Sequence, residues 1–249
     1  MSKVLEDGDI YFLYRPRVAD EHVESLAEVQ RLLTVLRPWR PRARTRLLVV
    51  GRKQLPEIDE RERFWAFVDA VVDRPEQLQD ALQPRRYPTK TRGQRYQPPA
   101  RPAAEGAYAI TRHDDHTHLA YQLELPRRPG APQRELHIEP EASYVVTVKN
   151  PQAPSPPGVG RPGPGRAHFP ADLQDRFRGR RFAPLDPPTF LDQPGAEIVL
   201  IGAAHDASAE LGIDLDAEVE RAARSTIFED LRIGREERPT EPLFAGQWR

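Results

Sequence analysis

The sequence predicts a fold of the α/β or α+β class, in which an N-terminal β-α-β-α unit joins an antiparallel, hairpin-containing sheet through long proline-rich loops. Three observations predict this class. Apolar runs alternate with segments of helical spacing over residues 1–83, two alternating segments meet in a hairpin between residues 107 and 125, and 27 of the 249 residues are proline. A proline share about twice the usual value excludes a long-helix or coiled-coil protein.

The N-terminal unit is predicted from four consecutive elements. Residues 9–14 (DIYFLY) have the composition of a strand, and residues 47–50 form a continuous apolar run that indicates a strand buried on both faces. Between them, Asp20 can cap a helix whose apolar residues recur at spacings of three and four until Pro38. Residues 59–72 carry a second stripe of this kind. The spacing between the two strands, roughly thirty residues, suits a right-handed parallel crossover.

The remaining chain divides by composition into a basic proline-rich surface loop, a hairpin-rich segment, a Pro/Gly loop that cannot build a core, and an acidic α/β segment. Their bounds are 84–104, 105–150, 151–166 and 167–249. The hairpin-rich segment is predicted to include a strand at 143–148, and the acidic segment a strand at 197–201 and a helix at 216–228. All these parts can belong to one compact domain.

The two strands of the hairpin can be placed against each other from the sequence. Asp114-Asp115 is predicted to form a two-residue turn, and pairing outward from it places His113 opposite His116. The further pairs are Thr111 with His118, Ile110 with Leu119 and Tyr108 with Tyr121. Because side chains alternate between the faces of a strand, the three histidines are predicted to share the face opposite the apolar residues.

Three imidazoles on one face are candidate metal ligands. Neutral imidazole is a good ligand for zinc, and three histidines with a water form a catalytic site that activates the water. Zinc bound by His113, His116 and His118, with Asp114 or Asp115 as a carboxylate partner, is therefore the one cofactor that the sequence suggests. The alternatives are a solvated polar face at a turn tip, which we favour, and a metal-free acid/base or ligand contact.

The net charge of −1 hides an asymmetry along the chain. Residues 1–101 carry 20 basic and 15 acidic residues, whereas residues 186–249 carry 6 basic and 14 acidic ones. Residues 31–53 and 81–104 contain no acid, and the second window also holds two tyrosines. Basic segments interleaved with aromatic residues are typical of nucleic-acid binding.

The nucleic-acid contacts predicted in these two windows are all basic side chains. They are Arg40, Arg42, Arg44, Arg85, Arg86, Lys90, Arg92 and Arg95. The alternative is that these residues lie in solvated loops whose charge is balanced by the acidic C-terminal segment.

A second cationic group is predicted at one edge of the sheet. In open α/β sheets, ligands bind just past the carboxyl ends of the strands, where a parallel arrangement would bring several basic residues together. Such a rim suits a phosphate, a nucleotide or a nucleic-acid backbone. The predicted anion-binding residues are Arg15, Arg17, Arg52, Lys53 and Lys149. The alternative is that polar residues flank these strands because strands end at the surface.

Composition limits the function classes further. The chain has no cysteine, which excludes disulfides, thiolate metal sites and cysteine nucleophiles. It has no apolar run long enough to span a membrane and no basic-then-apolar N-terminus, so a cytoplasmic protein without a membrane partner is expected. It also lacks the Gly-x-Ser-x-Gly and phosphate-loop motifs.

Two functions remain. The favoured one is a non-catalytic binding or accessory protein that contacts an anionic partner, such as RNA, a nucleotide or an acidic protein surface, through its arginine-rich segments. The alternative is a metal-dependent hydrolase of the phosphoester type, in which the histidines hold the ion and the cationic rim holds the phosphate. We expect binding rather than catalysis, because no motif in the sequence specifies a reaction.

Overall fold

The computed structural model describes residues 2–19, 21–91, 93–154, 166–206, 211, 225–234 and 238–248. Strands dominate this part of the chain. They are β1 (Lys3–Pro16), β2 (Val29–Pro38), β3 (Thr45–Val50), β4 (Arg63–Val72), β5 (Arg85–Thr89), β6 (Gly93–Gln97), β7 (Arg101–His113), β8 (His116–Leu125), β9 (Glu141–Lys149), β10 (Phe182–Pro184) and β11 (Glu197–Ala204).

The helices in the described residues are short. They are α1 (Gln79–Leu82), α2 (Ala131–Glu135), α3 (Ala171–Asp175), α4 (Ile227–Asp230) and α5 (Glu241–Ala245), with single 3-10 turns at Leu26–Glu28, Pro75–Leu78 and Pro188–Asp192. Within the described ranges, no helix has the length and apolarity needed to cross a membrane.

Eight of the strands close into an antiparallel barrel. The order around the barrel is β1, β2, β3, β4, β11, β9, β8 and β7, and β7 pairs again with β1. Every neighbouring pair in this circle is antiparallel. β10 pairs with the end of β9, while β5 and β6 form a separate two-stranded ribbon, called the ribbon from here on. Closure removes the exposed edges that an open sheet would present.

Alternate side chains fill the inside of the barrel. Ile10 and Phe12 of β1 lie in one buried cluster with Tyr108, Tyr121 and Tyr144. Phe12 and Tyr121 pack edge to face, with ring centroids 5.0 Å apart. Only about 20 Å³ of space remains among the inward side chains. An eight-stranded barrel is just wide enough for side chains to fill, so its interior is a packed core rather than a ligand chamber.

The outer wall of β1, β2 and β3 is buried as well. Tyr11 and Leu33 point outwards, between the inward residues of their strands, and belong to a second apolar cluster. The helices α1, α4 and α5 cover this cluster with Leu82, Ile227 and Leu243. Strands that are buried on both faces are apolar at consecutive positions. Their sequences therefore lack the alternation of apolar and polar residues that identifies a half-exposed strand.

The predicted α/β or α+β class, with its β-α-β-α unit, is wrong. Most residues assigned to the first helix form β2, and most of those assigned to the second form β4. Because β2 is buried on both faces, its apolar residues are nearly continuous, and a continuous run also satisfies spacings of three and four. The aromatic and β-branched residues of β4 (RFWAFVDAVV) are the better signal, since they favour a strand. The antiparallel neighbours leave no place for the expected parallel crossover.

Several predicted strands are confirmed. Residues 9–14, 47–50, 143–148 and 197–201 lie within β1, β3, β9 and β11. Residues 47–50 are buried on both faces, as their continuous apolarity indicated. The predicted loop at 84–104 instead contains the ribbon and the first residues of β7.

Two predictions fall mainly outside the described residues. The predicted helix at 216–228 is described only near its end, where α4 begins at Ile227. Residues 155–165 of the Pro/Gly loop also lie outside the described ranges.

Candidate anion-binding groove and histidine cluster

A groove crosses the outer wall of the barrel between the ribbon and the connection from β3 to β4. Two adjoining depressions of about 540 and 650 Å³ form it, and they share Gln30, Arg31 and Val49. Its floor is apolar, because Leu33, Leu47 and Val49 project outwards from β2 and β3. We call it the cationic groove, because basic side chains form its walls.

Basic side chains outnumber acidic ones in these walls. The basic lining residues are Arg15, Arg31, Arg52, Lys53, Arg85 and Arg86, and the acidic ones are Glu62 and Asp69. Asp69 is the extra residue of a β-bulge in β4, between Val68 and Ala70. An excess of basic groups in a concave surface concentrates anions there.

Arg15 holds the ribbon beside the groove. Its guanidinium donates to the carbonyl oxygens of Ala81, Gln83 and Pro98, at distances of 2.5, 3.4 and 2.9 Å. These carbonyls lie before β5 and after β6, so one buried side chain ties both ends of the ribbon to β1. Gln97 adds another bond, because its side-chain amide donates to the last carbonyl oxygen of β1 at 2.8 Å.

Like charges are crowded around Arg15. Arg15 lies directly opposite Arg31 in the pairing of β1 with β2, and like charges in that position are destabilising. Burial, followed by the charges of Arg85 and Arg31, lowers the pKa of Arg15 to about 10. Burial, followed by the charge of Arg17, also lowers the pKa of Lys53. A bound anion would relieve this repulsion.

Aromatic rings accompany the basic residues. The guanidinium carbon of Arg52 lies 5.8 Å from the ring centroid of Phe64, and that of Arg86 lies 5.5 Å from the ring centroid of Tyr96. Neither arginine forms an ion pair with a carboxylate of the described residues. Tyr87 lines the groove from the ribbon and is 39% exposed. The groove therefore offers both cations and an accessible aromatic ring.

The predicted anion-binding residues divide between the two ends of the barrel. At the groove end lie Arg15, Arg17, Arg52 and Lys53. In an antiparallel barrel, alternate strands run in the same direction, so the carboxyl ends of β1 and β3 meet without a parallel sheet. β9 runs in the opposite direction, which places Lys149 at the far end. There its ammonium group is buried, 3.3 Å from the carboxylate of Glu197.

The predicted nucleic-acid contacts are divided as well. The ribbon carries Arg85 and Arg86 in the groove wall, with Lys90 and Arg95 elsewhere on it, and Arg92 lies outside the described residues. The turn after β2, at the far end of that strand, carries Arg40, Arg42 and Arg44. Sequence reasoning missed Arg31 as a site residue, because its place in the groove depends on the pairing of β1 with β2.

The predicted pairing of the hairpin is confirmed residue by residue. His113 lies opposite His116, and Thr111 lies opposite His118. The apolar partners Tyr108, Ile110, Leu119 and Tyr121 belong to the interior cluster. The three histidines therefore share the outer face of the barrel, and we call them the histidine cluster.

The histidine cluster is compact. Its ring centroids are 5.0 to 6.1 Å apart, and one nitrogen of each ring lies within 4.8 Å of a nitrogen of the other two. His118 is only 1% exposed, and its Nδ1 lies 2.8 Å from Oγ of Ser143. Nδ1 of His116 lies 3.0 Å from Oδ1 of Asp115. These two hydrogen bonds orient two of the three rings.

The histidine cluster and the cationic groove lie at opposite ends of β1. This strand begins with Lys3 opposite Arg112, the neighbour of His113, and reaches the groove at Arg15. At the rise of a strand, this stretch extends roughly 40 Å. A phosphate held in the groove therefore does not reach the histidines. The geometry gives no support to a single hydrolytic site that uses both features.

Known proteins do not inform either feature. Comparisons with protein-family models, with curated proteins and with solved structures found no significant match. A functional assignment therefore depends on the geometry and chemistry of the groove and the cluster.

Proposed function

We propose that the chain is a non-catalytic binding protein for single-stranded nucleic acid, which it holds in the cationic groove. The observation that carries this proposal is the lining of the groove, where basic side chains surround an apolar floor and an accessible tyrosine. Proteins that bind single strands combine a basic groove, which follows the phosphates, with aromatic rings on which the bases stack. Both features occur together in this groove.

The distribution of charge favours a polymer over a single phosphate. Arg85 and Arg86 lie on the ribbon side of the groove, whereas Arg52 and Lys53 lie in the second depression, with Arg31 between them. One phosphate is bound by a few donors that converge on one point, whereas a strand presents a phosphate at every nucleotide. Basic residues spread over two adjoining depressions therefore suit successive nucleotides.

Tyr87 favours a single strand over a duplex. Its ring is accessible from the groove, and stacking of a base on an aromatic ring contributes about 1–3 kcal/mol. A duplex presents its phosphates but keeps the faces of its bases stacked inside. Only an unpaired strand can use the tyrosine and the arginines together.

The proposal is tested by fluorescence anisotropy of a labelled single-stranded RNA homopolymer over a range of salt concentrations. The logarithm of the affinity is expected to fall linearly with the logarithm of the salt concentration, with a slope of about −0.7 per phosphate contact. The double variant Arg31→Ala/Arg86→Ala is expected to bind about 10-fold more weakly and with a shallower slope. The matched control Arg40→Ala/Arg42→Ala removes the same charge from the far end of β2 and is expected to retain the affinity.

Variants of Tyr87 separate base stacking from the attraction of charge. Tyr87→Ala is expected to weaken RNA binding by about 5- to 100-fold, whereas Tyr87→Phe keeps the ring and the affinity. Equal losses in the two arginine double variants, or an affinity that is independent of salt, would overturn the proposal. Binding of inorganic polyphosphate as tightly as RNA, with no effect of Tyr87→Ala on either ligand, would also reject nucleic acid as the partner.

A further inference from the structure

We propose that the histidine cluster, His113, His116 and His118, binds one Zn²⁺ ion on the outer wall of the barrel, independently of the cationic groove. The hairpin supplies two ligands from alternate positions of β8 and the third from the paired position of β7. Because the register of β7 and β8 is fixed by the buried residues on their other face, the three rings are held on one side of the sheet.

The spacing of the nitrogens lies within reach of zinc coordination. Ligating nitrogens around tetrahedral zinc lie about 3.3 Å from one another, given bonds of about 2.0 Å. The nitrogens of the cluster already lie within 4.8 Å of one another. The side chains of His113 and His116 are 33% and 38% exposed, so these two rings have room to turn towards His118, which is buried and hydrogen-bonded to Ser143.

Two of the three rings form the kind of hydrogen bond that is typical of metal-bound histidines. A ligating imidazole usually engages its second nitrogen with a carboxylate, a carbonyl or another polar group, which fixes the ring and raises its basicity. Asp115 provides such a partner for Nδ1 of His116, and Ser143 provides one for Nδ1 of His118. Both rings would therefore ligate the ion through Nε2. Asp114 and Asp115 also bring negative charge close to the ion.

The chemistry of the ligands favours a transition metal. Three imidazoles without a thiolate suit Zn²⁺ and related transition metals, whereas Mg²⁺ and Ca²⁺ take oxygen ligands. The burial of His118 argues against a merely solvated polar face, because such a face would leave all three imidazoles in water.

The test is a titration of the chelator-stripped full chain with Zn²⁺ in competition with a chromophoric chelator. The wild type is expected to take up one equivalent of Zn²⁺. Loss of a hydrogen-bond partner behind a ligand typically lowers the metal affinity by about 10- to 100-fold. His116→Ala removes a ligand itself and is expected to lower the affinity for Zn²⁺ by more than this. Asp115→Asn is expected to fall within that smaller range. The matched control is His22→Ala, which removes an exposed histidine outside the cluster.

Three outcomes would overturn the zinc site. They are a wild type that takes up no Zn²⁺, a His116→Ala variant with unchanged affinity, and an equal loss in His22→Ala. Urea unfolding checks that each variant is folded, so the zinc test does not depend on RNA binding. The zinc site and the nucleic-acid groove are therefore tested independently of each other.

Discussion

Glu105 shows how one buried side chain can make the stability of the protein depend on pH. It lies on the outer face of β7 and is 2% exposed. Its carboxylate accepts a hydrogen bond from the hydroxyl of Ser225 at 3.0 Å, and from the backbone amides of Thr226 and Ile227 at 3.3 and 3.1 Å. Burial raises the pKa of Glu105 to about 7, although these hydrogen bonds oppose the shift. The carboxyl group therefore titrates near neutrality where it holds the start of α4.

The contribution of Glu105 to stability is expected to decrease as the pH rises. Its pKa in the folded chain lies above the ordinary value of 4.5, so the folded state binds this proton more tightly than the unfolded state does. The resulting stabilisation, up to about 3 kcal/mol, is complete below the ordinary pKa and is lost as the pH rises through about 7. Urea unfolding between about pH 5 and pH 8 measures it. Glu105→Gln is expected to flatten this profile, and an equally steep profile in the variant would contradict the assignment.

Among the elements, the ribbon depends most on a few contacts. Among the strands that the structure describes, β5 and β6 pair only with each other, and the side chains of Arg15 and Gln97 connect them to the barrel. Because the ribbon forms one wall of the cationic groove, these contacts determine how closely Arg85 and Tyr87 approach the opposite wall.

Gln97→Leu is expected to loosen the ribbon without unfolding the barrel. The substitution removes the buried hydrogen bond to β1, which contributes about 1 kcal/mol, so local opening of the ribbon should become about 5-fold more frequent. Hydrogen exchange followed by mass spectrometry measures this in the amides of β5 and β6. Gln94→Leu, an exposed substitution on the same ribbon, is the control, and equal exchange in both variants would reject the role of Gln97.

The elements also show which patterns a sequence specifies locally. The hairpin of β7 and β8 could be predicted to the residue, because its turn is two residues long and large apolar residues alternate with small or polar ones on both sides of it. β2 could not, because Leu32, Leu33, Val35 and Leu36 make both of its faces apolar. Its outer face belongs to a buried cluster that includes residues of α4 and α5. Ile227 and Leu243 of this cluster lie some two hundred positions from β2, so the sequence around β2 gives no sign that its outer face is buried.

At the scale of the whole molecule, closure of the barrel decides which side chains meet. The strand ends that form the cationic groove come together because strands alternate in direction around a closed circle of eight. The sequence indicated basic residues at those strand ends. Only the order of the strands shows that Arg15 and Lys53 share one end of the barrel and that Lys149 lies at the other. Strand order depends on long-range pairing, which local patterns do not encode.

The end of the barrel opposite the groove is held by a buried ionic cluster. Arg46 of β3 points inwards, is 1% exposed, and forms ion pairs with Glu6 of β1 and Asp192. The hydroxyl of Tyr108 on β7 donates to the same carboxylate of Glu6 at 2.9 Å. Three barrel strands and the segment before β11 are therefore joined in one network, and the carboxylates of Glu6 and Asp192 depend on Arg46 for neutralisation.

Arg46→Met is expected to lower the free energy of unfolding by about 3–5 kcal/mol, because two partly buried carboxylates then lose their cation. Adding Glu6→Gln should restore part of this loss, since one of the uncompensated charges is then removed. Arg44→Met, two residues earlier, is the control, because its half-exposed guanidinium lies 3.5 Å from an exposed Asp73, and such a pair contributes about 0–1 kcal/mol. Urea unfolding followed by tryptophan fluorescence compares the three variants. Similar midpoints for Arg46→Met and Arg44→Met would show that the ionic cluster does not hold the barrel together.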